Sequence, residues 1–329
     1  MLNIEIAEVM QTPGKMFSIA QKVHYKKKLD NEEKDVAEIA DAWVKEAAEK
    51  GDPDKEIAAF VKRTTNDEIY ETPDDLLDMM FDRGTIGEFD DTETTKDPKN
   101  TLVAYEAAKG GTVDASYLDF TALKPTWKNR QVEFKIPYVQ MRQNGFRTVA
   151  TYTTYATEAL QNTLFHDMFS AIDQAIGGGE QMIVESESKP TQSSMDQLAL
   201  YLTDRNSTDS VAVALTKYCQ AIGRMDGYAQ YMSEDMKNDF NRYGLAKFFS
   251  GIAVAGISGA KKISKGNLLI PDKRIFGVAG KIGTLDMKGE MHVYEDMDNG
   301  NEVCHVRVKD FTYGYTITHI ENTAKIVLG

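Results

Sequence analysis

Tyr152-Thr-Thr-Tyr-Ala-Thr-Glu-Ala-Leu-Gln-Asn-Thr-Leu-Phe-His-Asp-Met-Phe-Ser-Ala-Ile-Asp-Gln-Ala-Ile176, followed by Gly177-Gly178-Gly179, decides the architecture. Tyr152, Ala156, Leu160, Leu164, Met168, Ile172 and Ile176 recur at every fourth position. Tyr155, Ala159, Phe165 and Phe169 join them as the stripe drifts around the helix. No Gly or Pro interrupts the run before Gly177, so the pattern predicts one rod of roughly 35–40 Å at about 1.5 Å per residue. Such a rod can act as a spine against which a sheet packs. His166 lies on it and is read as a packing or surface residue.

Upstream, Val132-Glu-Phe-Lys-Ile alternates apolar 132, 134 and 136 with Glu133 and Lys135, the period of a half-buried strand. With the extended piece Thr101-Leu-Val-Ala-Tyr-Glu and a flexible section around Gly110-Gly111, it suggests a long hairpin. Residues 1–99 read as short capped helices and charged loops. Asp30 or Asn31 caps a helix carrying Val36, Ile39, Ala40, Trp43 and Ala47, which Gly51 is placed to end. Asp52-Pro53 restarts a helix through Ile57, Phe60 and Val61, and Thr72-Pro73-Asp74-Asp75 precedes Leu76, Leu77, Met80 and Phe81. These narrow stripes fit an arm laid along other surfaces or a small helical domain. The acidic, threonine-rich stretch from Gly84 to Asn100 lacks the ligand spacing and glycine of a calcium loop and reads as solvated.

Downstream come a short strand at Met182-Ile-Val-Glu, a capping-box-like Ser193-Ser-Met-Asp196, a helix from about Asp209 to Ile222, and another from Ser233 to Tyr243 ending at Gly244. His292-Val-Tyr-Glu and Val303-Cys-His-Val-Arg-Val flank Asp298-Asn299-Gly300, a tight hairpin signal. Phe311, Tyr313, Tyr315 and Ile317 alternate with polar or small residues in a further strand. Helices and strands mix without regular β-α-β order, so the class is α+β.

Composition narrows the function. The 329 residues carry a net charge of -13, and 42% hydrophobic content suffices for a real core. So large an acidic excess argues against tight wrapping of nucleic acid, and the basic run Lys26-Lys27-Lys28 reads as a solvated face. No apolar run reaches the length of a membrane span, and Glu5 interrupts the start where a signal peptide would be apolar; the chain is expected to stay in the cytoplasm where it is made. Cys219 and Cys304 read as two lone buried thiols. Gly251-Ile-Ala-Val-Ala-Gly256 has phosphate-loop glycine spacing, but Ile257 and Ser258 follow where Lys and Ser or Thr are needed. Gly277-Val-Ala-Gly280-Lys-Ile-Gly283 is a bend between strands and not a dinucleotide fingerprint. The five histidines form no helical ligand pair, and Cys304 and His305 point to opposite strand faces. No catalytic, cofactor-binding or metal-binding residue is assigned, and no cofactor is expected.

One family matches this layout. Ala122-Leu-Lys-Pro125-Thr-Trp127, the alternating strand at 132–136, Phe146-Arg-Thr-Val-Ala-Thr and the long helix resemble the extended loop and spine helix of tailed-bacteriophage major capsid proteins of the Hong Kong 97 fold. Leu268-Leu-Ile-Pro-Asp272 through Gly283, the Asn-Gly hairpin and Phe311-Thr-Tyr-Gly-Tyr-Thr-Ile are similar to their C-terminal half. The resemblance covers approximately residues 100 to 329 and rests on the order of elements. It implies a non-enzymatic shell subunit, closing as hexamers and pentamers into an icosahedral head around double-stranded DNA that it holds without sequence-specific binding. It implies an N-terminal helical arm (1–99), an extended loop (100–148), a peripheral domain with the spine helix (149–190), an axial domain (191–285) and a peripheral return (286–329). Lys124, Trp127, Phe134 and Tyr138 are the candidate inter-subunit contacts. Scaffold, portal and cement proteins are the further partners, there is no membrane, and the location is the virion after assembly in the host cytoplasm. Because the chain opens on Met1, removal of a leading scaffolding segment is not expected, and no cross-linking lysine–asparagine pair can be matched. Encapsulin-like nanocompartments share the fold and enclose protein cargo; a soluble oligomeric enzyme and a low-copy decoration or portal-associated protein are the readings from other classes.

Overall fold

The computed structural model describes residues 15–50, 54–71, 74–90, 94–96, 102, 106, 121–205, 209–225, 234, 247–260, 262–264, 267–298 and 302–329. Four helices lead: α1 (Lys15–His24), α2 (Asn31–Lys50), α3 (Asp54–Asn66), which runs on into a π-helical turn at Asp67–Glu71, and α4 (Asp75–Met80). α2 opens on a reciprocal cap in which Glu33 N donates to Asp30 Oδ1 at 2.8 Å and Asp30 N to Glu33 Oε2 at 3.0 Å. Asp74 caps α4 by accepting from Leu76 N and Leu77 N. Val36, Ala40, Trp43, Ile57, Phe60, Val61, Leu77 and Met80 are buried, as their spacing requires. Phe81 is a correction. Its N–H closes α4 onto Leu77 O, its own backbone is extended, and it begins β1 (Phe81–Ile86). One apolar residue after a helix fits either structure, and here a distant strand decides.

β2 (Thr94–Lys96) and β3 (Thr121–Leu123) pair antiparallel and bracket residues 97–120. Apart from Leu102 and Glu106, the extended piece at 101–106 and Gly110-Gly111 lie outside the described residues. The predicted strand at 132–136 is the second half of β4 (Thr126–Pro137). α5 (Tyr138–Asn144) follows, then α6 (Phe146–Ala175), at 30 residues the longest helix described. α6 starts six residues before Tyr152 because the break is at Gly145, whose φ is 53°. A Cβ there would sit 1.8 Å from Asp41 Oδ1, the oxygen that receives the first helical N–H, from Phe146, at 3.0 Å. The apolar stripe of α6 faces inward with Thr153, Thr154 and Thr157 buried beside it, while Tyr155, placed on that stripe by periodicity, is exposed. α1 to α3 pack on the first half of α6. Phe60 meets Phe146 edge-on at 5.7 Å and Thr65 Oγ1 lies 3.2 Å from Thr157 Oγ1. One continuous core therefore joins these helices to α6.

The remaining elements are β5 (Met182–Val184), α7 (Gln192–Thr203), β6 (Ser210–Leu215), α8 (Thr216–Gly223), β7 (Phe248–Phe249), β8 (Ile252–Ile257), β9 (Lys262–Ser264), β10 (Asn267–Leu268), β11 (Arg274–Ala279), β12 (Gly283–Lys288), β13 (His292–Asp298), β14 (Val303–Ile317) and β15 (Thr323–Val327). The mixture is α+β. The first sheet is built on β14, which pairs with β4 along one side. On its other side it pairs with β13 through its first half and with β12 through its second, and β12 carries β1 in parallel. The second sheet has the order β5-β15-β11-β6-β8-β7.

The strand at 132–136 pairs with β14, in an antiparallel register that runs Val303↔Pro137 to Tyr315↔Thr126, and the hairpin expected with 101–106 falls on residues outside those described apart from Leu102 and Glu106. Three expectations change. The helix expected from Asp209 is strand β6 followed by α8: Ser-Val-Ala-Val-Ala-Leu is buried at all six positions, and a strand covered on both faces carries no alternation to distinguish it from a buried helix. The capping box sits two residues earlier, with Thr191 N donating to Ser194 Oγ at 3.1 Å and Ser194 N to Thr191 Oγ1 at 3.3 Å. The strand of Phe311 to Ile317 is continuous with that of Val303, joined through a bulge at Asp310, whose φ is 63°. The strands predicted to flank Asn299-Gly300 pair in register, His292↔Lys309 to Asp298↔Val303, the turn itself lying outside the described residues, and Gly280, at φ 73°, turns the chain between β11 and β12. The helix expected at 233–243 lies outside the described residues except Glu234.

Candidate functional site

Two buried or half-buried carboxylates fix α6 to the two sheets. Asp167, 6% exposed, accepts from Arg130 Nη2 at 2.6 Å and Nε at 3.2 Å, from Tyr313 Oη at 2.5 Å, and pairs with Lys128 Nζ at 3.1 Å. Lys128 and Arg130 reach it together because residues two apart on a strand share a face. Burial pushes the Asp167 carboxyl up, but the hydrogen bonds from Tyr313, Arg130 and Lys128 outweigh it and hold the group below the usual carboxylate range. Burial, and then the bond to Asp167, push the Tyr313 phenol up. Near the end of α6, Lys325 Nζ of β15 donates to Asp173 O at 2.7 Å and Oδ1 at 2.9 Å, and Arg274 Nε of β11 lies 3.5 Å from the same Oδ1. The carbonyl is one of the last four of the helix, which lack an intrahelical donor, and the cations suit the negative end of its dipole.

The predicted contact residues fall along or beside β4. Lys124 is exposed just before the strand. Trp127 is half-buried opposite Gly314, with Lys288 Nζ 5.1 Å above its ring. Phe134 is half-buried and stacks on Tyr152 of α6, centroids 5.7 Å apart. Tyr138 is buried at the start of α5, its N–H donating to Glu302 O at 2.9 Å. Among the described residues β4 pairs with β14 alone, which leaves its outer edge open, and the exposed side chains along it are Thr126, Asn129, Gln131, Glu133 and Lys135. Glu133 holds His305 Nε2 at 2.5 Å and Arg307 Nε at 3.2 Å across the strand pair. The hydrogen bond from His305, with the Arg307 charge, keeps the Glu133 carboxyl below its usual range.

Sequence reasoning missed a set of exposed apolar side chains: Phe89, Val184, Leu200 and Phe248. Only Phe89 carried a sequence signal, an aromatic alone in an acidic stretch. Both cysteines are buried and in no disulfide, and burial pushes the Cys219 thiol up to about 12. His166 Nδ1 lies 3.0 Å from Leu268 O, a packing contact. Among the described residues no cluster of three or more His, Cys, Asp or Glu is arranged to hold a metal ion, and no helix is long and apolar enough to cross a membrane. Among the described residues the surface offers an unpaired edge of β4, isolated apolar knobs and shallow grooves.

No protein-family model and no curated protein matches the chain. Solved structures do. A chain of the capsid structure of the cyanophage P-SCSP1u superimposes with a TM-score of 0.55 at 9% identity, over 77% of this chain and 88% of that one. One from the mature capsid of bacteriophage PhiM1 gives 0.52 at 9% identity, over 75% and 85%. A chain from Microbacterium phage Oxtober96 gives 0.55 at 11%, over 78% and 92%. At such identities backbone topology, and not side-chain inheritance, is what is shared. The two sheets joined by α6 are the fold of bacteriophage capsid chains.

Proposed function

We propose that this chain is the major capsid protein of a tailed bacteriophage, with the Hong Kong 97 fold. The observation that carries the reading is the backbone likeness to bacteriophage capsid chains over three quarters of the molecule and most of each neighbour's length. In this reading, hexamers and pentamers close into an icosahedral head around double-stranded DNA, and the role is structural and not enzymatic. Residues 1–99 form the arm, 100–148 the extended loop, 149–190 and 286–329 the peripheral domain, and 191–285 the axial domain, into whose sheet β15 returns. The open edge of β4 supports placing inter-subunit contacts there, with Lys124 and Trp127 the most available of the four candidates. The acidic balance, -13 for the whole chain, supports a wall that DNA can leave, with no sequence-specific grip. The head is assembled in the host cytoplasm and ends in the virion, with scaffold, portal and cement proteins as its further partners. Negative-stain microscopy of the expressed chain, alone and with a candidate scaffold, tests this: closed shells are expected, and a discrete monomer or dimer under every condition overturns it.

A further inference from the structure

Phe89 is 92% exposed, the most exposed of the large apolar side chains among the described residues. It sits in a turn that is built to hold its shape. Asp90 N donates to Gly87 O at 3.1 Å, Gly289 N ties the start of the turn by donating to Ile86 O at 2.9 Å, and Glu88 packs over Gly289. The Asp90 carboxylate folds back over Gly87. The tip is thus an aromatic knob between two carboxylates, Glu88 and Asp90, both exposed. An aromatic side chain has only two rotatable bonds to order on insertion, which suits an interface anchor.

A matching receptor lies elsewhere on the same chain. A groove of about 570 Å³ between α1, α2 and the start of α6 has Val23, Leu29 and Phe146 in its apolar lining, and Lys34, Arg147 and Glu38 on its rim. Asp41 and Lys45, which also line it, pair with each other at 2.7 Å. Lys34 and Arg147 make no ion pair among the described residues, so the groove carries net positive charge around an apolar centre. An aromatic ring flanked by two carboxylates is its complement in both shape class and sign. Because Phe89 stands in solvent, it does not fill the groove of its own chain.

We infer that the Phe89 turn of one copy inserts into the α1–α2–α6 groove of a second copy. The identity of the partner as a second copy rests on the shell-subunit reading. The contact joins two different patches, so it is head-to-tail and generates rings where the rotation closes.

The test mixes a Glu88→Cys chain, which keeps Phe89, with an Ala37→Cys chain under mild oxidation, Ala37 being another residue of the groove, with particles followed by electron microscopy. Cys219 and Cys304 are buried and stay silent in the folded protein. A disulfide joining positions 88 and 37 of different chains is expected. In parallel, Lys34→Glu with Arg147→Glu should weaken assembly at least ten-fold, and adding Glu88→Lys with Asp90→Lys should restore it. Shells without the cross-link and without charge-swap rescue overturn the contact and leave the shell reading standing. Cross-linked rings that never close into shells support the contact and count against the shell reading. Neither cross-link nor particles overturns both.

Discussion

Arg130 of β4 places Nη2 2.6 Å from Asp167 Oδ2 of α6, and this pair, with Tyr313 on the same oxygen, locks the first sheet to the helix. Replacing Asp167 by Asn removes the charge that Arg130 and Lys128 share. Both cations keep about a third of their side chains in solvent, 39% and 31%, so the loss is smaller than for a fully buried pair, about 2 kcal/mol. The folded-state pKa of Asp167 is depressed. Its contribution is therefore fully present above the unfolded carboxylate value and lost as pH falls through the folded one. Urea midpoints of Asp167→Asn and the parent should differ near neutral pH and converge in strong acid; a constant gap across that range would count against the ion pair.

Lys325→Met should loosen the second junction. The substitution leaves Asp173 O without its donor and Asp173 Oδ1 with only Arg274, at a cost of about 1–2 kcal/mol. Amide exchange should quicken selectively in the last turn of α6 and in β15. Uniform acceleration across both sheets would contradict a local role.

Gly314→Ala puts a methyl 2.6 Å from Trp127 Cε3, so the indole must move or the strands must separate. A cost of about 1–3 kcal/mol is expected from such overpacking. The chain has two tryptophans, and Trp43 is buried against Phe60 of α3. A Trp127→Phe background identifies which indole reports: the emission shift caused by Gly314→Ala should vanish in it.

The thiols give a stability assay. With Cys219 and Cys304 buried and the Cys219 pKa pushed up to about 12, a thiol reagent should label neither in the folded chain and both after unfolding. Labelling against urea should then trace the same transition as circular dichroism, and rapid labelling in native buffer would contradict the burial of these side chains.

Periodicity was readable wherever one face of an element meets solvent. That is why the α2 and α3 stripes, the alternation of β4 and the β13–β14 hairpin could be placed from residues alone. It failed where both faces are covered, as in β6, and where pairing is decided far away: Phe81 is drawn into a strand by Gly283, and β4 pairs with residues some 170 positions later. The candidate contact residues were legible as a neighbourhood, because the motif around Trp127 leads directly into β4. Their individual environments were not, since Phe134 is held by Tyr152 and Trp127 by Gly314, partners no local pattern announces. Asp167 gave no signal either: a lone acid on an amphipathic helix looks solvated until the strand that neutralises it is known.

β14 and β15 carry a consequence for the order of events during synthesis. β1 waits for β12, β4 for β14, and β5 for β15, so neither sheet can close until residues 303–327 have been made. Pairings this distant along the chain make folding slow and leave long unpaired strand edges in every shorter intermediate. An incomplete chain is therefore unable to present a finished surface until its C-terminal strands have been threaded into place.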